Sequence, residues 1–456
     1  MATDSSPCPG VAEAAAAIAD GSLSPVALLE QCLARIASRD GALHAFHHLD
    51  VEGARGAARD AAASLSAGRR LGPLHGLPFG VKDNYDAAGL PCAAGSRLRA
   101  GYVPDRDAAL VAALRGKGAV LAGKLATWEY GTGNGGEYFD QPMLPARNPW
   151  DRERFTGGSS TGCGVAVAEG MLPFALGSDT TGSVRLPAAA TGTVGIIPTP
   201  GTLSLEGILP NCWSLDVPGA FAWTVPDVAL VLEALMPGRP ALHAATQADV
   251  RGLSVAVVRR PGDGLPDADA PLAEGFEAGL RVLSGLGVRL TEVTLPVAAA
   301  DCLAAARLIG PAESAAIHEK ELRERPEQMG RALRDKLLAG SLVRAVDYLA
   351  AQRLRRVVAE GMAALMARFD VLVTYGTLHL PPRLGVEPES TAFTLETMLT
   401  PFNLAGLPAL VQCTGFSDAG LPLHWQMAAR RGGEATLLRL AAAYEAATPW
   451  RSRRPA

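Results

Sequence analysis

Residues 253–293 alternate strand, helix and strand, an order that leaves few folds open. Leu253-Ser254-Val255-Ala256-Val257-Val258 is short and rich in β-branched residues, the pattern of a buried strand. Leu272, Phe276, Leu280 and Leu283 then fall on one helical face, and residues 288–293 return to an extended run. A strand, a helical crossover and a second strand pair in parallel, which predicts an α/β fold.

Other segments fit that class. Residues 10–68 have helical spacing, as in Val26, Leu28, Leu29, Cys32, Leu33 and Ile36, and Ser24-Pro25 reads as a cap with proline at the first helical position. Leu77-Pro78-Phe79-Gly80-Val81-Lys82 is a buried strand ending at Lys82, and residues 119–123 are the next. Residues 131–162 are rich in Gly, Pro and Asn, a long irregular stretch of the kind that is usually functional. Residues 163–169 predict a helix of small residues docked on the sheet. Strands at 370–374, 407–412 and 423–427 follow a helical region, and Gly415-Phe416-Ser417-Asp418-Ala419-Gly420 makes the last two a hairpin. With no linker or repeat, the expected organisation is one domain over 1–456. Its parts are N-terminal helices (1–68), a core (69–240), a variable helical region (241–365) and a C-terminal return to the sheet (366–456).

Composition narrows function mainly by exclusion. A net charge of −4 gives no electrostatic case for nucleic acid or an anionic membrane as partner. The seven cysteines are scattered with no CxxC, which predicts neither a disulfide framework nor a zinc site and suits a reduced compartment. No apolar run reaches membrane-spanning length and no signal peptide is visible, so the expected location is cytoplasmic. Only five lysines occur, at 82, 117, 124, 320 and 336, so candidates for a catalytic amine are few.

Chemistry concentrates in two glycine-rich serine segments. The first is Thr156-Gly157-Gly158-Ser159-Ser160-Thr161-Gly162, and the second, 24 residues on, is Gly177-Ser178-Asp179-Thr180-Thr181-Gly182-Ser183-Val184-Arg185-Leu186-Pro187. Serine needs a base to become a nucleophile. Ser160 sits in a G-x-S-x-G match, but polar, proline-broken residues 148–154 precede it where a nucleophile elbow needs a strand. Gly131–Gly136 matches G-x-G-x-x-G without a following helix, so it reads as a loop near a pocket rather than a dinucleotide site. Two serine segments with an upstream Lys82 remain, a set that needs neither histidine nor metal.

In order and spacing these segments resemble the amidase signature family. The likeness continues in residues 76–84, 146–150, 402–408 and 443–450, and thins between about 240 and 365. It implies a mixed, mostly parallel central sheet with helices on both faces. It also implies hydrolysis of a linear carboxamide without cofactor or metal. Ser183 matches the nucleophile, Ser159 the bridging serine after a cis peptide, and Lys82 the general base. The oxyanion would meet backbone N–H groups of Thr180, Thr181, Gly182 and Ser183, with Ser160, Asp179 and Arg185 in support. Thr181-Gly182 stands where the family usually has Gly-Gly, and Thr161 where Gly or Ser is usual. By position alone, Tyr130, Tyr138, Phe139, Trp213, Tyr375 and His379 are pocket candidates.

Alternatives stay open. Residues 207–216 and 221–224 look similar to allophanate and carboxybiuret hydrolases, which cleave urea or carbamate bonds. The sequence also resembles the A subunit of a glutamine-dependent tRNA amidotransferase, although those proteins have Gln-Thr-Gly-Gly-Ser where this one has Asp179-Thr180-Thr181-Gly182-Ser183. A catalytically silent binding module is a third reading, weakened by the presence of all three catalytic residue types. A small-molecule amide is the expected partner, and the resemblance implies a homodimer as one mode of assembly.

Overall fold

A computed structural model describes residues 6–133, 140–236, 238 and 241–456. Its strands are β1 (Phe46–Leu49), β2 (Pro78–Lys82), β3 (Val120–Leu125), β4 (Phe174–Asp179), β5 (Val194–Ile197), β6 (Val217–Ala222), β7 (Ser254–Val257), β8 (Arg289–Glu292), β9 (Val371–Thr374), β10 (Ala409–Phe416) and β11 (Pro422–Ala429). All eleven form one sheet in the order β1-β3-β2-β4-β6-β5-β10-β11-β9-β7-β8, flanked by helices.

The sheet is mixed, but not mostly parallel as expected. Parallel pairing is confined to β3-β2-β4 and to β9-β7-β8. Between these runs, β4-β6-β5-β10-β11-β9 is antiparallel throughout. The helical crossovers seen in sequence account for the outer runs, whereas β10 and β11 form a tight hairpin that reverses direction in the middle. The strand-helix-strand unit at 253–293 pairs in parallel as read, through β7 and β8 and the helix Ala270–Gly285.

The N-terminal region holds the helices Val11–Asp20, Pro25–Leu43 and Val51–Ser66. Ser24 caps the second, its side chain accepting the Ala27 N–H, with Pro25 in the first turn. Four strands were not foreseen: β4, β5, β6 and β1, the last pairing antiparallel with β3 through Phe46, His48 and Leu49. The two histidines of β1 carry no strand signature, and its pairing partner lies far along the chain.

One cysteine expectation is overturned. Cys8 and Cys32 are joined as a disulfide, because the segment before the first helix folds back on the second. The other five cysteines are free and buried. Among the described residues no helix is long and apolar enough to cross a membrane.

The topology that matters for chemistry is local. β2 is buried along its whole length and lies between β3 and β4, parallel to both. Their carboxyl ends therefore open at one edge of the sheet, the edge where α/β folds place ligand crevices. The helix Thr161–Ala168 packs beneath it with every residue buried. Gly162 allows this approach, since a Cβ there would lie 2.1 Å from the Ala45 carbonyl oxygen.

Candidate active site

Lys82 is the last residue of β2 and only 1% exposed. Its Nζ donates to Ser159 Oγ at 2.7 Å and to Ser178 Oγ at 3.0 Å, with the Ser178 carbonyl at 3.3 Å. Asn84 Nδ2 also donates to Ser178 Oγ, at 3.0 Å. None of these neighbours is charged. Burial therefore dominates and lowers the Lys82 pKa from 10.5 to about 8, with Cys163, Asp216 and Asp179 opposing it at a distance.

Ser159 is buried, and the Gly158–Ser159 peptide bond is cis. Ser160 is buried beside it, its N–H donating to the Ser183 carbonyl (3.2 Å) and its Oγ to the Ser178 carbonyl (3.2 Å). The two serine segments are thus stitched together by their own backbone. Gly131 approaches from the other side, where a Cβ would lie 3.3 Å from Ser159 Oγ.

The turn between β4 and the helix Arg185–Thr191 carries Ser183, which is half-buried. Asp179 organises that turn. Its Oδ1 accepts the Gly182 N–H at 2.7 Å, and its Oδ2 accepts the Val184 N–H at 3.0 Å. Arg185 grips the same carboxylate through Nε and Nη2, both at 3.1 Å, and Asn403 Nδ2 adds a bond at 2.8 Å. Arg185 also donates to the Leu399 carbonyl, Gln426 Oε1 and Asn403 Oδ1. Burial alone would raise the Asp179 pKa, but the Arg185 charge and these hydrogen bonds together hold it below the usual carboxylate value.

This arrangement corrects the expected oxyanion donors. The Gly182 N–H is committed to Asp179, so it cannot serve. The N–H groups of Thr180, Thr181 and Ser183 have no acceptor among the described residues and remain available. The Thr180 side chain also donates its hydroxyl to Asp216 Oδ1 at 2.6 Å.

A cavity of about 560 Å³ lies over this turn. Thr180, Thr181, Gly182, Ser183 and Gly158 form its floor, and Gly131, Thr132 and Gly133 one side. The glycine-rich loop read as pocket-adjacent is therefore in the wall, as far as Gly133. Trp128 lines the cavity too, its indole lodged where Cβ atoms on Gly158 or Gly133 would fall.

The four pocket candidates that lie among the described residues do not line this cavity. Tyr130 is buried in a separate cluster with Met329, Leu333 and Leu337, its ring 4.4 Å from that of His318. Tyr375 packs on Phe276 in the main core, with ring centroids 4.5 Å apart. His379 bridges Asp269 (3.2 Å) and Glu396 (2.6 Å). Trp213 is 60% exposed. Each is an aromatic or histidine that proximity in sequence could not separate from core or surface. Tyr138 and Phe139 lie outside the described residues.

Sequence reasoning missed Trp128, Asn211, Arg307 and Lys336 in the wall. Lys336 had a faint signal, being one of five lysines. It reaches the site only through packing of the variable helical region. No group of His, Cys, Asp and Glu suited to a metal occurs among the described residues.

The Amidase family model matches residues 27–438. The chain is 35% identical to the A subunit of glutamyl-tRNA(Gln) amidotransferase from Chloroflexus aggregans, covering 98% of this chain and 97% of that one. It is also 35% identical to the Myxococcus xanthus protein of that name, over 95% and 96%. A solved structure tied to the evolutionary origins of an s-triazine catabolic enzyme superposes with a TM-score of 0.87 at 31% identity, covering 96% of this chain and 98% of that one. A peptide amidase does so with a TM-score of 0.84 at 29% identity, over 98% and 99%.

Proposed function

The chain belongs to the amidase family of carbon–nitrogen hydrolases, and from that premise we propose that it cleaves a linear amide through an acyl-enzyme on Ser183. The observation that carries this reading is the buried Lys82–Ser159 hydrogen bond of 2.7 Å, with an amine whose pKa is about 8. An amine in that range takes and returns a proton near neutrality.

In the proposed sequence, neutral Lys82 accepts the Ser159 hydroxyl proton as Ser159 accepts that of Ser183. Ser183 Oγ bonds to the amide carbon, and the carbonyl electron pair moves onto oxygen. The N–H groups of Thr180, Thr181 and Ser183 are the donors open to that oxyanion. Collapse breaks the carbon–nitrogen bond, and Ser159 returns a proton to the departing nitrogen. Water, deprotonated by the same relay, then releases the acid and restores Ser183. Asp179 and Arg185 hold the turn and take no proton.

The test is ammonia or amine release from a panel of amides, ureas and carbamates, alongside labelling by a fluorophosphonate. Labelling should disappear in Ser183→Ala. Undiminished labelling of that variant would refute the assignment of the nucleophile. Turnover confined to ureas and carbamates would move the substrate class to the allophanate type.

A second reading has a specific observation behind it. The full-length likeness to the A subunits of tRNA amidotransferases favours a glutaminase that works with partner proteins. The Thr181-Gly182 step before Ser183 departs from the usual sequence of those proteins. Glutamine hydrolysis that appears only in a co-purified complex would establish this reading, and amide turnover by the isolated chain favours the first.

A further inference from the structure

The cavity over Ser183 carries charges that the relay does not use. Lys336 lines it from the helix Arg331–Ser341 and Arg307 from the helix Ala299–Ile317, and these two helices pack together. Lys336 Nζ donates to Asn211 Oδ1 at 2.5 Å and to Thr132 Oγ1 at 3.2 Å, both neutral oxygens. Asn211 in turn donates to Thr180 Oγ1 at 3.2 Å, so the ammonium is two side chains from the turn that holds Ser183. Arg307 is exposed into the cavity and makes no hydrogen bond or ion pair among the described residues.

The acidic groups nearby are otherwise engaged or turned away. Glu387 pairs with Arg331 at 3.4 Å. Asp216 is half-buried and engaged, accepting from Thr180 Oγ1 and from the N–H groups of Asn211 and Cys212. Asp335 is exposed at the rim and forms no ion pair with either cation. Loss of hydration lowers the Lys336 pKa to about 8, with Cys212 and Asp216 opposing, which leaves it mostly charged at pH 7.

A cation drawn partly out of water is costly unless an anion completes its surroundings. Here one ammonium and one guanidinium face the same space without a counter-ion among the described residues. The guanidinium fork matches a carboxylate in shape as well as charge. We propose that the substrate is a small amide or ureide bearing a carboxylate, which Lys336 and Arg307 bind while the scissile carbonyl faces Ser183. This deepens the amidase reading and rests on it.

The test separates binding from turnover. In a Ser183→Ala background, calorimetry compares succinamate with butyramide, two primary amides of similar length that differ in the carboxylate. Succinamate should bind at least tenfold more tightly. Adding Lys336→Met should remove most of that advantage, and Arg307→Gln a further part, with butyramide little changed. Thermal melts confirm folding, and Arg307→Gln, on an exposed side chain, keeps the test open where Lys336→Met fails to fold. Equal affinity for the two amides, including no detectable affinity for either, would overturn the proposal, as would an advantage that survives both variants. Failure of wild-type protein to take up fluorophosphonate would instead count against the amidase reading, leaving the binding result to stand alone.

Discussion

Lys82 should impose a pH dependence whose size follows from its surroundings. Burial lowers its pKa from 10.5 to about 8, and it can accept a proton only when neutral. At that value about one-tenth is neutral at pH 7, half at pH 8 and about nine-tenths at pH 9. Attack by Ser183 should therefore accelerate with rising pH, by roughly tenfold between pH 7 and 9. A lysine in water would show no inflection in that range.

The assay is the second-order rate of Ser183 labelling by an uncharged fluorophosphonate between pH 6.5 and 9.5. Labelling reports attack by Ser183 on phosphorus with loss of fluoride, so amide binding and product release do not distort the profile. Lys336 titrates near the same value, and its Lys336→Met variant serves as the control: whatever its absolute rate, the inflection should survive. In Lys82→Met the inflection should vanish and the rate fall by about 10²–10⁴, the range for loss of a general base. A flat wild-type profile would refute the reasoning, and so would an inflection that persists in Lys82→Met.

Three further expectations test the surroundings. Asp179→Asn leaves the fully buried Arg185 without its charged partner and should cost about 3–5 kcal/mol, read as a lower urea midpoint; a shift below about 1 kcal/mol would contradict the role given to the pair. Gly158→Ala places a Cβ 2.2 Å from the Trp128 ring, so labelling should drop with a destabilisation of about 1–3 kcal/mol, measured together on one preparation. His379 has a raised pKa, first from its hydrogen bond with Asp269 and then from that with Glu396. Its contribution is present below the unfolded value near 6.5 and lost as pH rises through the folded value. His379→Ala should thus lose under about 1 kcal/mol at pH 5.5 and nothing at pH 9, with kcat/KM unaffected.

What the sequence disclosed follows the range of the interactions involved. The Ser24-Pro25 cap, the strand ending at Lys82 and the hairpin around Gly420 are local, and each lies where its residues predicted. The mixed order of the sheet is not local. β5, between β6 and β10, is placed by pairing across more than two hundred residues, which no periodicity records. The same distinction divides the site. Ser159, Ser160 and Ser183 sit in short motifs, but Trp128, Arg307 and Lys336 reach the cavity through tertiary packing. The Gly182 N–H illustrates a finer limit: its sequence neighbours mark an anion-binding turn, and only the Asp179 carboxylate shows which donors are already taken.

Comparing two buried lysines shows what makes one of them chemically useful. Lys82 and Lys124 lie on adjacent parallel strands and are both almost wholly excluded from water. Lys124 Nζ lies 3.1 Å from Asp83 Oδ1, and Asp83 Oδ2 is 3.1 Å from His47 Nδ1. Asp83 is thus the partner of Lys124, and the pair ties β3 to the residue after β2. Among the described residues Lys82 has only hydroxyl and carbonyl oxygens within reach, and the nearest carboxylates act on it from a distance. Coulomb attraction that would hold a proton on the amine is thereby withheld, while burial works to remove it. Burial alone therefore does not identify the base, since both lysines share it. The absence of a counter-ion among the described residues sets Lys82 apart as the proposed base, and it predicts that placing a carboxylate beside Lys82, as in Ser178→Asp, would raise its pKa and silence labelling at pH 8 without touching Ser159 or Ser183.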